Sequence, residues 1–458
     1  MSRLKPAGKQ GQSRQAGTAR ERAMVDLSPD LFRAGPHQGS LPSEPEGDAV
    51  GDLRRKIEPW LTALFQSEHL SVLLGSGFTN AVTLAAGGEP ATMGACTWGE
   101  IDFSTEVDAR AKALAQSGGR GSENFEDQIR AALQLRDGLT VMNDDRAARW
   151  KAEIDTQLKS FLGAIVRTEV AIRGAESAQR EVAEDLLVSF LLSFASRTST
   201  RDRLSIFTTN YDRVMEYGCD LAGLRIIDRF SGVLSPVFRA TRLNVDMHYN
   251  PPGIRGEPRY LEGVIRACKL HGSIDWRWRD RELVRHSAPF GCPMEDHRIP
   301  EEASESVIIY PNPAKDMETS QYPYSELFRD FAAAICRPNS ALVTYGYGFG
   351  DEHINRVLRD MLTIPSTHLV IIAWDAVNPD RPDDQVNGSR KRIMRFCQKV
   401  GKVAQISLLL GGHFGNLVTL VDHYLPKPAI DQISKRKARL EEQRGEGYRR
   451  LGGEESNE

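Results

Sequence analysis

The chain has 458 residues, 40% of them apolar and 26% charged, with a formal net charge of -3. That length suits two or three domains, or one large α/β domain with insertions, and the apolar share is enough to bury a core. The near-neutral balance argues against a basic field that would draw the chain onto nucleic acid or an acidic membrane. Six scattered cysteines (Cys96, Cys219, Cys268, Cys292, Cys336 and Cys397) form no C-x-x-C pair. This excludes a disulfide scaffold or a paired-cysteine zinc knuckle and fits a reducing cytoplasm. No apolar leader opens the chain. The longest apolar stretch, LLVSFLLSFA at 186–195, is about half a membrane span. A cytoplasmic protein without membrane association is expected.

Residues 1–50 are rich in Gly, Ser, Pro, Gln and Arg without periodicity and read as a disordered arm. Short apolar runs bounded by turn residues then predict buried parallel strands at 70–75, 204–210, 341–347, 368–374 and 403–410. Helical patterns follow several of them, at 212–222, 351–363 and 388–400. Strand, crossover helix, strand predicts an α/β fold with a doubly wound, Rossmann-like parallel sheet. Its expected extent is 51–97 together with 198–430. Residues 98–197 interrupt it with an all-helical module. Phe125, Ile129, Ala132 and Leu133 share one helix face, Leu158, Phe161, Leu162, Ile165 and Val166 share another, and 186–195 reads as a buried helix. The module carries no chemical motif, so its apolar faces predict self-association or a partner interface. A second insertion, about 225–305, shows no assignable pattern, and 431–458 reads as a charged tail.

Five segments carry candidate chemistry. Gly75-Ser76-Gly77 ends a strand and opens a helix, a place for backbone N–H groups to meet a pyrophosphate or simply a tight turn. Phe207–Val214 puts Thr208, Asn210 and Asp212 at the C-terminal end of a strand, the edge where open α/β sheets bind ligands. Asp212 serves equally well as a helix N-cap there, and Asn210 as a turn residue. His271-Gly272 places an imidazole on a loop, although a lone His is often structural. The Gly346, Gly348 and Gly350 spacing offers another phosphate or ribose cradle, while Asp351 serves equally well as a helix N-cap. His353 has no partner at metal-ligand spacing, so no metal is expected. Asp375 ends a strand where a carboxylate can accept from an adenosine ribose hydroxyl.

In this order the segments resemble the sirtuin superfamily. Gly75-Ser76-Gly77 matches its first glycine motif and Thr208-Thr209-Asn210-Tyr211-Asp212 its T-Q-N-x-D. His271-Gly272 matches its H-G and Gly346-Tyr347-Gly348 its G-T-S segment. The four-cysteine zinc module and the I-P-D-F-R segment of deacetylase sirtuins are absent. Thr97-Trp98-Gly99-Glu100-Ile101 and the run from Gly348 to Asn355 are instead similar to bacterial sirtuin-like NADases of anti-phage defence. The stretch at 310–331 resembles the variant paired with a HerA-type hexameric ATPase.

The resemblance implies an NAD+ hydrolase that releases nicotinamide and ADP-ribose. His271 would be the general base, Asn210 would position water and the carboxamide end of the substrate, and Asp212 would hold that pocket. Gly75, Ser76, Gly77, Thr208, Gly346, Gly348 and Asp375 would bind the dinucleotide, and no metal would be required. A homo-oligomer and a HerA-type partner are expected. Two alternatives remain at this level: an NAD-dependent protein deacylase, and a non-catalytic NAD or ADP-ribose sensing subunit.

Overall fold

The computed structural model describes residues 30–41, 44–90, 95–117, 123, 125–197, 201–241, 245–249, 259–286, 288–296, 306–308, 322–374 and 388–427. The principal sheet contains β1 (Asp30–Ala34), β2 (His37–Leu41), β3 (His69–Leu74), β4 (Ser205–Thr208) and β5 (Arg225–Ile227). It continues with β6 (Val264–Lys269), β7 (Ser340–Tyr345), β8 (His368–Ala373) and β9 (Ile406–Leu410). Their spatial order is β2-β1-β9-β8-β7-β3-β4-β6-β5. From β9 to β5 every neighbour is parallel, while β1 lies antiparallel to β9 and β2 antiparallel to β1. This is the Rossmann-like α/β architecture that the strand pattern predicts.

Period-two alternation explains why both faces are covered. Along β3, Leu70, Val72 and Leu74 face one apolar cluster while Leu73 faces the other. β7 divides the same way, with Ala341, Val343 and Tyr345 on one side and Leu342 on the other. The first face is closed by α1 (Asp48–Phe65), α2 (Ser76–Ala85) and later helices, and the second by helices that follow β6. β3 and β7 are buried almost end to end, which is why they read as continuous apolar runs.

The strand order reverses between β3 and β7. From β3 the chain moves outward to β4, while from β7 it moves the other way to β8 and β9. A doubly wound sheet places its ligand crevice at such a switch point, beyond the C-terminal strand ends.

Two expectations need correction, and one unassigned stretch takes shape. The described part of the expected arm is ordered: β1 and β2 form a hairpin on the sheet edge. Phe32 packs on Phe414 with ring centroids 5.8 Å apart, and buried Asp30 accepts the His413 N–H through Oδ1 at 3.1 Å. The five residues of β1, one strand in from the edge, need only alternate buried positions, too short a signal to stand out amid Gly, Pro and Gln. Residues 1–29 lie outside the described residues, as does the expected tail at 431–458.

The helical insertion is also divided. α3 (Ser104–Ser117), α4 (Phe125–Val141) and α5 (Arg146–Arg173) build their own core around Trp150, Ile129 and Phe161. α6 (Ser177–Ala195) belongs instead to the sheet layer, where Phe190 packs on Phe78 at 5.3 Å. The faces of α3–α5 expected to need an external partner are covered by one another and by Tyr211, Ile274 and Cys292.

The unassigned 225–305 stretch forms much of a small five-stranded sheet. Its order is Ser306–Ile308, Gly272–Arg279, Glu282–Arg285, Val237–Phe238 and Phe230–Ser231, all paired antiparallel. Irregular strands of two to eight residues left no readable period.

Candidate functional site

The two glycine-rich turns meet at the switch point, and contact between them is what demands glycine. A Cβ on Gly75 would lie 2.4 Å from the Gly346 carbonyl oxygen, and one on Gly77 would lie 2.7 Å from Gly346 Cα. Gly346 adopts φ +66°, and its own Cβ would fall 2.5 Å from the Phe78 nitrogen. The N–H of Gly75 donates to Tyr345 O at 3.0 Å and that of Gly77 to Gly346 O at 3.1 Å. These amides therefore bind the neighbouring strand loop rather than wait for a pyrophosphate, which narrows the expected cradle. Ser76 is exposed in the first turn of α2, where the helix N-terminus still favours an anion.

Asn210 follows β4 and is buried. Its Nδ2 donates to Gly75 O and to Thr79 Oγ1, both at 2.9 Å. With both amide protons committed, the ring of contacts fixes the carboxamide, and Oδ1 is its remaining acceptor. Thr79 Oγ1 donates onward to Asp212 Oδ2 at 2.7 Å, while Asp212 Oδ1 accepts the Val214 N–H at 3.1 Å. Asp212 thus caps α7 (Val214–Leu221) and anchors Asn210 through Thr79. It is a positioning residue. Lys269 Nζ donates to the Asp212 carbonyl and reaches Glu216 Oε1 at 3.0 Å.

Thr208, expected to touch the dinucleotide, is buried, and its hydroxyl is committed on both sides. It donates to Leu74 O at 3.1 Å and accepts the Asn210 N–H at 3.0 Å. Its role is to shape the turn beneath Asn210. The Gly348 carbonyl accepts from Arg392 Nε at 2.7 Å. Asp375 lies outside the described residues.

His271 follows β6 and is 3% exposed. The Leu270 N–H donates to Thr208 O at 2.8 Å, so the loops after β4 and β6 are stitched together beneath the imidazole. His271 Nε2 lies 3.1 Å from Nε2 of His353. His353 sits in the first turn of α8 (Glu352–Met361), which begins just beyond β7. β3 and β4 lie between β6 and β7 in the sheet, so the two histidines meet above the strand ends that carry Gly75 and Asn210. Phe328 packs edge-on against His353 at 5.0 Å. Asp351 completes a group whose ligand atoms all lie within 4.8 Å of one another. The premise that His353 lacks a partner therefore fails. Its partner is 82 residues away in sequence, beyond the reach of any spacing rule. The available signal was positional: His353 and His271 both follow parallel strands at the same sheet edge.

Arg213, next to Asp212, is buried against Glu169 of α5. Its Nη2 lies 2.5 Å from Glu169 Oε2, and its backbone N–H donates to Glu169 Oε1 at 2.9 Å. Burial pushes the Glu169 carboxyl up, with Arg213 opposing that shift. Two desolvated charges hold the helical insertion to the Asn210 loop. A separate cavity of about 390 Å³ beside β6 is lined by Glu216, Arg229, Lys269, Asp275 and Arg285 among others, and does not include Asn210 or His271. Among the described residues, no helix is long and apolar enough to cross a membrane.

No curated protein matches the chain. A family model described as a SIR2-like domain matches residues 204–393. The matched span runs from the start of β4 into α9 (Ser389–Val400) and contains Asn210, His271, Gly346 and His353. It supports a sirtuin-like relationship, and SIR2-like domains are typically NAD-dependent enzymes.

Proposed function

We propose that the protein is an NAD+ glycohydrolase that cleaves the nicotinamide–ribose bond. The observation that carries the reading is the carboxamide of Asn210, locked by Gly75 and Thr79 on a loop that the Leu270 N–H to Thr208 O bond ties to the loop of the buried His271, at the crevice of the switch point. The family match supports NAD as the nucleotide.

The reaction asks little acid catalysis of the protein, because nicotinamide leaves as a neutral ring when the pyridinium nitrogen takes the bonding pair. The demands are to hold the ribose, to tolerate positive charge at C1′ and to deliver one oriented water. Asn210 Oδ1 is suited to accept from that water. As its oxygen bonds to C1′, the water loses a proton to His271, an imidazole suited to this near neutral pH. The Nε2–Nε2 contact requires one histidine to present a lone pair while the other presents N–H, so His353 sets which nitrogen of His271 stays basic. The exposed N-terminal turn of α2 at Ser76 is the proposed anchor for the pyrophosphate.

The biological setting we propose is NAD depletion in anti-phage defence, within a homo-oligomer and beside a HerA-type ATPase. Its support is the sequence resemblance at 97–101, 348–355 and 310–331. The test is purified full-length chain incubated with NAD, with and without an acetyl-lysine peptide. Nicotinamide release without peptide is the expected result. Release only with peptide would establish a deacylase, and no release would favour a sensing role.

A further inference from the structure

The geometry points to a Zn2+ site formed by His271, Asp351 and His353, whose occupation by the ion arrests the chemistry assigned to His271. The regulatory half rests on the NAD hydrolysis reading; the binding half does not.

Two imidazoles and one carboxylate are a donor set suited to Zn2+, with Co2+ and Ni2+ as chemical relatives. Ca2+ and Mg2+ prefer shells of oxygen. Zn–N bonds of about 2.0–2.1 Å at a tetrahedral angle place two ligand nitrogens about 3.3 Å apart. The two Nε2 atoms stand 3.1 Å apart, and one ligand atom from each of His271, Asp351 and His353 lies within 4.8 Å of the other two. The two nitrogens already face each other across a hydrogen bond, with ring centroids 5.3 Å apart, so seating an ion replaces that bond and asks each ring to turn toward a shared position. Packing against Phe328 holds His353 in that orientation. Asp351 is only half-buried, which marks the side from which an ion would enter. Three protein ligands leave one tetrahedral position open.

Two physical consequences follow from binding. The ion takes the Nε2 lone pair of His271, so that nitrogen no longer accepts a proton. It also brings a dication close to the reacting centre, where positive charge grows on the ribose as nicotinamide departs. Both effects slow hydrolysis.

The test uses the full-length chain freed of metal with a chelator, then titrated with Zn2+ against a chromophoric competitor. One Zn2+ per chain is expected. Asp351→Asn and His353→Ala should each weaken binding roughly tenfold or more, with unchanged circular dichroism showing that both variants fold. Failure to bind one equivalent, or equal affinity in wild type and both folded variants, would overturn the site. Nicotinamide release is then measured with each protein referred to its own metal-free rate. Wild type should be inhibited by Zn2+ and restored by chelator, and Asp351→Asn should need at least about tenfold more Zn2+ for half-inhibition. Binding together with metal-insensitive hydrolysis would overturn the regulatory half. Binding without any hydrolysis would overturn the functional reading and leave the metal site standing.

Discussion

Glu169 and Arg213 form a buried ion pair between a helix of the insertion and the loop that carries Asn210, with Nη2 and Oε2 2.5 Å apart. Removing one partner strands the other charge out of water, which typically costs about 3–5 kcal/mol. Glu169→Ala is expected to lose stability on that scale in urea unfolding. It should also lower nicotinamide release, because the Arg213 N–H loses the acceptor that fixes the turn after Asp212.

His271→Ala should reduce turnover by about 10²–10⁴ while NAD affinity, read by calorimetry, persists. Asn210→Ala differs because its Nδ2 also satisfies Gly75 O and Thr79 Oγ1. It should lose turnover and, in addition, about 1–3 kcal/mol of stability. Thr79→Val should lower kcat more than it raises KM, since it frees the Asn210 amide without touching substrate. Wild-type turnover in folded His271→Ala protein would sink the mechanism.

The switch-point glycines make a steric prediction. Gly346→Ala combines φ +66° with a Cβ 2.5 Å from backbone and is expected to cost at least about 3 kcal/mol. Gly350 lies in the same turn, yet nothing stands within 4 Å of its Cβ position. Gly350→Ala should stay within about 0.5 kcal/mol of wild type. Comparison of melting temperatures decides whether close approach, rather than flexibility, explains these glycines.

Truncation separates the two parts of the expected arm. Starting the chain at residue 30 keeps the β1–β2 hairpin. Starting it at Asp48 strips β1 from β9 and leaves the His413 N–H without Asp30. The longer deletion should lower the melting temperature by several degrees or yield aggregates, because it bares an edge strand. Equal melting curves would show the hairpin to be dispensable.

Acid should unfold the protein partly through His368. Burial, with Arg33 adding to it, holds its imidazole down to about 4 against an ordinary 6.5. The unfolded chain therefore binds a proton between those values that the folded chain refuses. Stability from this group is complete above about 6.5 and is lost as pH falls toward 4, by roughly 2–3 kcal/mol. His368→Gln should flatten the fall in urea midpoint across that window relative to wild type.

The parallel strands were legible because burial on both faces makes each a continuous apolar run, as in HLVIIA of β8. The motif residues were legible because strand ends in this fold are where chemistry gathers. Other features left no local trace. β1 depends on pairing with residues more than 370 positions away, as in the Leu31–Leu410 register. The duty of Thr208 follows from hydrogen bonds to Leu74 and Asn210, which composition does not encode. Glu169 reads as one more helical charge until Arg213 is found against it.

The placement of the histidine pair also bears on when the protein becomes whole during synthesis. A nascent chain that has released Asn210 and His271 still lacks β7, the strand that flanks β3 on its other side, and everything that follows it. Long-range contacts of this kind form late. A truncated or stalled product ending before residue 340 therefore carries two of the three key side chains yet has neither Gly346 to lock the crevice nor His353 to orient the imidazole. If the protein consumes NAD as proposed, this order of strands keeps an unfinished chain on the ribosome from assembling the site early.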